Sequence, residues 1–293
     1  MRAITVGIVM MVAAPASAQR VMPIRAAEAL IAADRGFAQA SARTNAIDGI
    51  AAMFAHDVAM PRLDATFTRS KAEAIATLSA EPRNRTATAT WAPVRAGISA
   101  DAMQGFTMGM MALRDADGTV RRAKYLSYWR KDRDGWRVVS YKQQRLASEE
   151  VQPSLPPVLP PRLVAASRDA RAIARHRASI DAAERRFSDE AQAMGLGPAF
   201  CKHGRRDATN LGGSRSGMLI GLDKICGTIG GPPPSPVTWA PDAVEVASSG
   251  DMGVTWGMIR RKGPVPTGEL AIIPYTTVWV RGGPGGVWQY IAE

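Results

Sequence analysis

"GFTMGM" at residues 105–110 and "GVTWGM" at residues 253–258 are two versions of one phrase, and each follows a "TWAP" tetrapeptide, at Thr90–Pro93 and Thr238–Pro241. The two occurrences keep one offset: Gly105, Thr107, Gly109 and Met110 recur as Gly253, Thr255, Gly257 and Met258. Moving outward, Tyr125 and Trp129 recur as Tyr275 and Trp279, Trp136 as Trp288, Phe37 as Phe187 and Ile75 as Ile225, with an offset that grows only slightly. Small drift of this kind belongs in hairpin loops, so the chain is read as a tandem duplication of one folding unit. Between the copies, "ASEEVQPSLPPVLPPRL" at 147–163 carries five prolines. Proline fixes φ and removes a donor, so this stretch is expected to be an extended, stiff spacer.

Within the first copy, Ala29, Leu30, Ala33, Phe37 and Ala40 recur at helical spacing between Arg25 and Arg43. A shorter helix is expected over Ile47–Phe54, then an irregular stretch to Arg69, then a third helix with Ser70 as N-cap and Glu73 completing a capping box. The periodicity then changes to that of strands over 86–99, 103–114, 120–133 and 136–145, with "DADG" and "DRDG" as hairpin turns. The second copy repeats the order, with a longer first helix over 164–194 and a third helix near 222–229 followed by "GGPPPSP" at 230–236. Helices followed by an antiparallel meander give an α+β class. The repeated phrase falls on the second long strand of each meander, where paired glycines mark a bend that curves the sheet around its helix.

A chain of 293 residues accommodates two ordinary domains. Residues 1–18 carry Arg2, an apolar run from Ile4 to Ala14 and the small-residue triplet Ala16-Ser17-Ala18, the pattern of a signal peptide cleaved before Gln19. The run is too short to cross a bilayer. The expected organisation is therefore a signal peptide at 1–18, a first domain at 19–146, the spacer at 147–163 and a second domain at 164–293, in a periplasmic or secreted protein with no membrane span. The net charge of +11 is spread over both halves, with 20 Lys+Arg against 14 Asp+Glu in 3–150 and 16 against 12 in 151–293. No basic tract is long enough to track a phosphate backbone, so no nucleic-acid partner is expected. Cys201 and Cys226 are the only cysteines, and both a disulfide and a pair of buried thiols fit their placing. Three histidines, His56, His176 and His203, are too few for a multi-histidine zinc site in either half. No metal or cofactor is expected.

This order of elements resembles that of the nuclear transport factor 2-like superfamily, which includes SnoaL-like cyclases and ketosteroid isomerase. "SSGDMGVTWG" at 248–257 and "YTTVWVRGGPGGVWQYIAE" at 275–293 resemble a branch of it known only as a domain of unknown function. The resemblance covers nearly all of both halves and implies two cones, each a curved sheet around about three helices. Such cones host many unrelated activities. In the isomerase a carboxylate base follows the second helix. The matching position here is Arg62, or Pro61 with a one-residue slip, and a guanidinium does not abstract protons near neutral pH.

Two function classes follow. In the leading one, a small apolar molecule binds in a cone pocket lined by Met108, Tyr125, Trp129, Trp256, Tyr275 and Trp279. In the second, an isomerase, dehydratase or cyclase uses a His/Asp acid–base pair, His203 with Asp207 or His56 with Asp57. A non-catalytic interaction module is the third reading. Cones of this superfamily often pair through their sheets, so the resemblance also implies pairing of the two copies within one chain or formation of a homodimer.

Overall fold

The computed structural model describes residues 22–147, 153–213, 216–265, 267 and 270–293. The signal-peptide reading at 1–18 lies outside these residues. The first half contains α1 (Pro23–Ser41), α2 (Ala46–Ala51), β1 (Phe54–Ala59), α3 (Lys71–Ser79), β2 (Thr88–Ile98), β3 (Gln104–Arg114), β4 (Val120–Asp132) and β5 (Gly135–Leu146). The second contains α4 (Ala170–Met194), α5 (Leu196–His203), β6 (Gly204–Asn210), β7 (Leu219–Ile220), α6 (Leu222–Thr228), β8 (Val237–Val246), β9 (Met252–Arg261), β10 (Ile272–Val280) and β11 (Gln289–Ala292). The strand orders are β1-β5-β4-β3-β2 and β7-β6-β11-β10-β9-β8. Both halves are thus α+β, with helices preceding a curved meander.

Local chemistry sets the element ends. Pro23 sits in the first turn of α1, where its missing N–H costs nothing. Asn45 and Ser70 cap α2 and α3, each accepting from the backbone N–H three residues on. Glu73 reaches back to the N–H of Arg69, one residue beyond the cap itself. Asp169 caps α4 by accepting from Arg171 N and Ala172 N, and Gly195, at φ 90°, ends that helix. The α4 helix starts at Ala170 rather than at 164. The stretch read as irregular between 54 and 69 contains β1, which joins β5 in parallel, and β6 joins β11 likewise, so each antiparallel meander carries a parallel strand at its side.

The repeated phrases are cross-strand neighbours. Pro93 faces Gly109, and Pro241 faces Gly257. Immediately afterwards the register slips by one residue, between Pro93 and Arg95 on β2 and between Pro241 and Ala243 on β8. A bulge beside a proline bends its strand and increases the local twist. The glycines opposite provide space, since none of the four has a positive φ. A Cβ on Gly109 would lie 2.2 Å from Ala92 O and 2.5 Å from Tyr125 Cε1, and one on Gly257 would lie 2.4 Å from Ala240 O. Gly105 and Gly253 do the same for the helices, with Leu30 Cδ2 and Ile180 Cδ1 each 2.7 Å from the position a Cβ would take. The bend therefore resides in "TWAP", and "GxTxGM" lets the bent strand close on its neighbours.

The outer faces of the two sheets share one apolar cluster, which includes Phe106, Met108, Met110, Leu126 and Tyr128 from the first half and Met252, Val254, Val278 and Ile291 from the second. Its polar margin is reciprocal at the hairpin tips, where Asp251 accepts from Ala100 N and Asp101 accepts from Ser249 N. Arg95, buried on β2, donates to the Asp207 carboxylate at 2.6 Å and to Thr209 Oγ1 at 2.7 Å. Residues 155–158 of the proline-rich spacer lie along the outer edge of β2, with Leu155 N and Val158 N donating to Val94 O and Ala96 O and Ile98 N donating to Val158 O.

Gly109→Ala is expected to destabilise the protein by roughly 2–4 kcal/mol, because backbone and ring atoms occupy the new methyl's place. Gly36→Ala, in α1 with nothing within 4 Å of the added carbon, is expected to be neutral or stabilising by up to about 1 kcal/mol. Urea unfolding of both variants checks the contrast, and equal effects would remove close packing as the reason for the glycine.

Candidate functional site

The inner face of each sheet closes on a buried carboxyl group. Asp34 lies in the buried stripe of α1 with Ala27, Leu30, Ala38 and Ser41. It accepts from Trp91 Nε1 at 2.6 Å and from the Tyr125 hydroxyl at 2.9 Å. Glu184, at the matching place on α4, accepts from Trp239 Nε1 at 2.6 Å, Thr255 Oγ1 at 2.5 Å and Trp279 Nε1 at 2.9 Å. The shorter aspartate leaves Trp129 Nε1 to Thr107 Oγ1 at 2.8 Å. The longer glutamate reaches the indole directly, and the Tyr275 hydroxyl is left without a partner among the described residues. Burial pushes both carboxyls above their usual range, and the indole and hydroxyl donors pull them part of the way back. An acidic residue inside an apolar helical seam was the available sequence signal for these two groups.

This arrangement corrects the expected ligand lining. Tyr125, Trp129, Tyr275 and Trp279 are fully buried beside the carboxyl groups, filling the cone interiors. Met108 and Trp256 belong to the opposite face of the sheet, in the cluster between the halves. Alternation along β3 and β9 forces that split, because Thr107 and Thr255 point inward and their neighbours point out.

Of the expected acid–base pairs, His56 and Asp57 adjoin on the exposed surface, and His203 and Asp207 have other partners. His56 Nδ1 lies 3.7 Å from Asp57 Oδ1, but the imidazole is 90% exposed and Asp57 is also paired with Arg130, at 2.9 Å. His203 Nε2 lies 2.6 Å from Glu190 Oε2, whereas Asp207 turns to Arg205 and to Arg95 of the first half. His203 ends α5 and Asp207 lies within β6, so the chain leaves the helix before reaching the aspartate and presents it to the other sheet. The imidazole packs on Phe187, and burial pushes its pKa below the usual value against the opposing pull of Glu190. Cys201 and Cys226 are joined, with their α-carbons 5.5 Å apart, linking α5 to α6. Among the described residues no group of three His, Cys, Asp or Glu side chains is placed to hold a metal ion.

One of the clefts among the described residues lies at the mouth of the first cone. A cleft of about 620 Å³ runs between α3, the turn after it, and the ends of β3, β4 and β5. Its apolar surface comes from Met60, Leu78, Leu113, Ala123 and Tyr141, all buried core residues. Its rim carries Arg83, Arg121, Arg122 and Arg145 against one acidic residue, Glu81. Arg121 is held by Asp115 and Asn84, Arg83 by Glu81, and Arg145 is exposed. Sequence reading missed this cleft because Arg83 comes from the turn after α3, Arg121 and Arg122 from β4 and Arg145 from β5, and only the fold brings the three segments together.

No family model and no curated protein matches this sequence. Solved structures do resemble it. A ketosteroid isomerase-like protein from Erwinia carotovora atroseptica is 18% identical, with 41% of this chain covering 98% of that one at a TM-score of 0.32. An NTF-2 like protein of unknown function from Shewanella oneidensis is 11% identical, with 40% of this chain covering 96% of it at 0.33. A putative aromatic ring hydroxylase from Novosphingobium aromaticivorans is 14% identical, with 43% covering 92% at 0.35.

Glu184→Ala strands the Trp239 indole N–H, leaves Trp279 Nε1 only Thr255 Oγ1 and leaves that hydroxyl only a long bond to Thr277 O, and it is expected to cost roughly 3–5 kcal/mol. Glu184→Gln keeps an acceptor and should cost about 1–2 kcal/mol. Urea midpoints test the order, and a loss below about 1 kcal/mol for the alanine variant would contradict the structural role assigned to the carboxyl.

Proposed function

We propose that this is an exported protein of two cones whose first cone binds a small molecule with an apolar body and an anionic group. The observation that carries this reading is the cleft at the mouth of the first cone, with its apolar floor and arginine rim. Its volume of about 620 Å³ falls in the range of small-molecule sites. An apolar floor rewards a hydrocarbon or ring, and a rim of guanidinium groups rewards a carboxylate, sulfonate or phosphate at the water boundary. Support for export comes from the leader pattern at 1–18 and from the Cys201–Cys226 bond, since such bonds persist in oxidising compartments.

One preparation tests both parts. Expressed with its leader in a Gram-negative host, the protein is expected in the periplasmic fraction with Gln19 at its start, and retention of the leader in the cytoplasm would refute export. The purified protein is expected to bind 1-anilinonaphthalene-8-sulfonate saturably, with weakening of roughly three- to five-fold in Arg145→Glu, a change at an exposed position, and with rising salt. Thr77→Trp, which fills the cleft, should abolish the signal. Affinity unchanged by both substitutions would overturn the assignment, and equal affinity for the uncharged N-phenyl-1-naphthylamine would remove the anionic part of it.

A further inference from the structure

A second cleft, of about 410 Å³, lies on the far side of the second half from the sheet-to-sheet contact, between α4, the end of α5 and the loop joining β10 to β11. One wall is a single helical stripe, Ser179, Ala183, Arg186 and Glu190, at spacings that place all four on one face of α4. The opposite wall is Arg281 with Trp288, and Lys202 and His203 close the end. The acidic member is already engaged, because Glu190 Oε2 accepts from Lys202 Nζ at 2.9 Å and lies 2.6 Å from His203 Nε2.

The cations across from it are not engaged in this way. Arg281 is held rigidly: its Nε donates to Gly250 O at 2.6 Å, its Nη2 lies 3.1 Å from His176 Nδ1, and its guanidinium lies 4.2 Å over the Trp288 ring. The ring is fixed in turn by Trp288 Nε1 donating to Ser179 Oγ at 2.9 Å. Neither Arg281 nor Arg186 is paired with a carboxylate among the described residues. Burial lowers the pKa of Arg281, which records the cost of holding this charge away from water. A half-buried guanidinium fixed in place, in a cleft lined also by a second guanidinium, has the chemistry to receive planar or tetrahedral oxygen anions.

We propose that this cleft is a second ligand site, separate from the mouth of the first cone, which takes the oxyanion group of a small molecule between Arg186 and Arg281, with His203 as its titrating neighbour. Val287, 81% exposed at the lip, offers apolar contact to whatever body the anion carries. His203 reports occupancy. Its ring faces Arg186, Phe187 and Glu190 of α4 and lies beside Lys202 of α5, and burial, with Lys202 and Arg186, outweighs the pull of Glu190 and holds its pKa below the usual value. An anion bound beside Arg186 must favour the protonated ring, so the histidine's pKa rises on binding and, by linkage, the anion binds more tightly as pH falls.

The test is NMR observation of the His203 Cε1–H resonance in the whole chain, titrated from pH 4.5 to 8 in sodium chloride, sodium sulfate or sodium benzenesulfonate at equal ionic strength. Sulfate is expected to raise the His203 pKa saturably by about half a unit or more. Benzenesulfonate should saturate at lower concentration if the anion is borne on a larger body, and at the same concentration if the inorganic ion is itself the ligand. Arg186→Ala, at an exposed position, should weaken sulfate binding roughly five-fold, and Arg281→Lys should do so while keeping the charge. A His203 pKa that is the same in all three salts overturns the proposal, as does a shift that survives Arg186→Ala unchanged. This result does not depend on the first cleft, since no residue is shared between the two.

Discussion

Each half of this protein is organised around one carboxyl group that water does not reach. Removing such a group from solvent costs several kcal/mol unless donors surround it. The requirement fixes the positions of Trp91 and Tyr125 around Asp34, and of Trp239, Trp279 and Thr255 around Glu184. Donors on separate strands and an acceptor on a helix must then meet at one point. The helix cannot slide along the sheet, nor the sheet flatten, without breaking hydrogen bonds to the carboxyl group in a low dielectric. The bulges after Pro93 and Pro241 supply the bend that this convergence needs, and Gly109 and Gly257 supply the clearance.

Filling the cones from within has a consequence for function. Large aromatic rings that line an open cavity in principle are here committed to the carboxyl groups or to the layer between the sheets. Both faces of β3 are buried, since Phe106, Met108 and Met110 pack against the other half while Thr107 and Met111 pack inward. Open space is therefore left at the periphery, in clefts that include the two described above. The excess of basic residues, spread thinly along the sequence, becomes locally concentrated at the first cone mouth and beside Arg281.

Much of the architecture was legible in the sequence because it depends on short-range patterns. Alternation and the "DADG" and "DRDG" turns locate β2 to β5 to within one or two residues, and Gly118 and Gly135 take the positive φ that those turns require. The two "TWAP" copies identify the duplication because a bulge opposite a glycine tolerates few other residues. Strand β1 was harder to read, since its partner β5 is distant in sequence and its pairing is parallel. The site chemistry was read less well for the same reason. His203 was matched with Asp207, four residues on, whereas its partner is Glu190, three helical turns back and brought close by the turn at Gly195. Asp34 was passed over because a single acidic residue in an apolar seam resembles a solvated edge until the opposing indoles are placed.

The indole N–H groups of Trp91 and Trp129 in the first half, and of Trp239 and Trp279 in the second, are tied into the buried carboxyl networks. Hydrogen exchange of the tryptophan Nε1–H groups tests this most directly. Trp91, Trp129, Trp239 and Trp279 are expected to exchange only through global unfolding, with the partly exposed Trp256 exchanging faster as the internal reference. Exchange of the four at the rate of Trp256 would show that the indoles are not held by Asp34, Thr107 and Glu184, and the account of what fixes the helices in the sheets would fail.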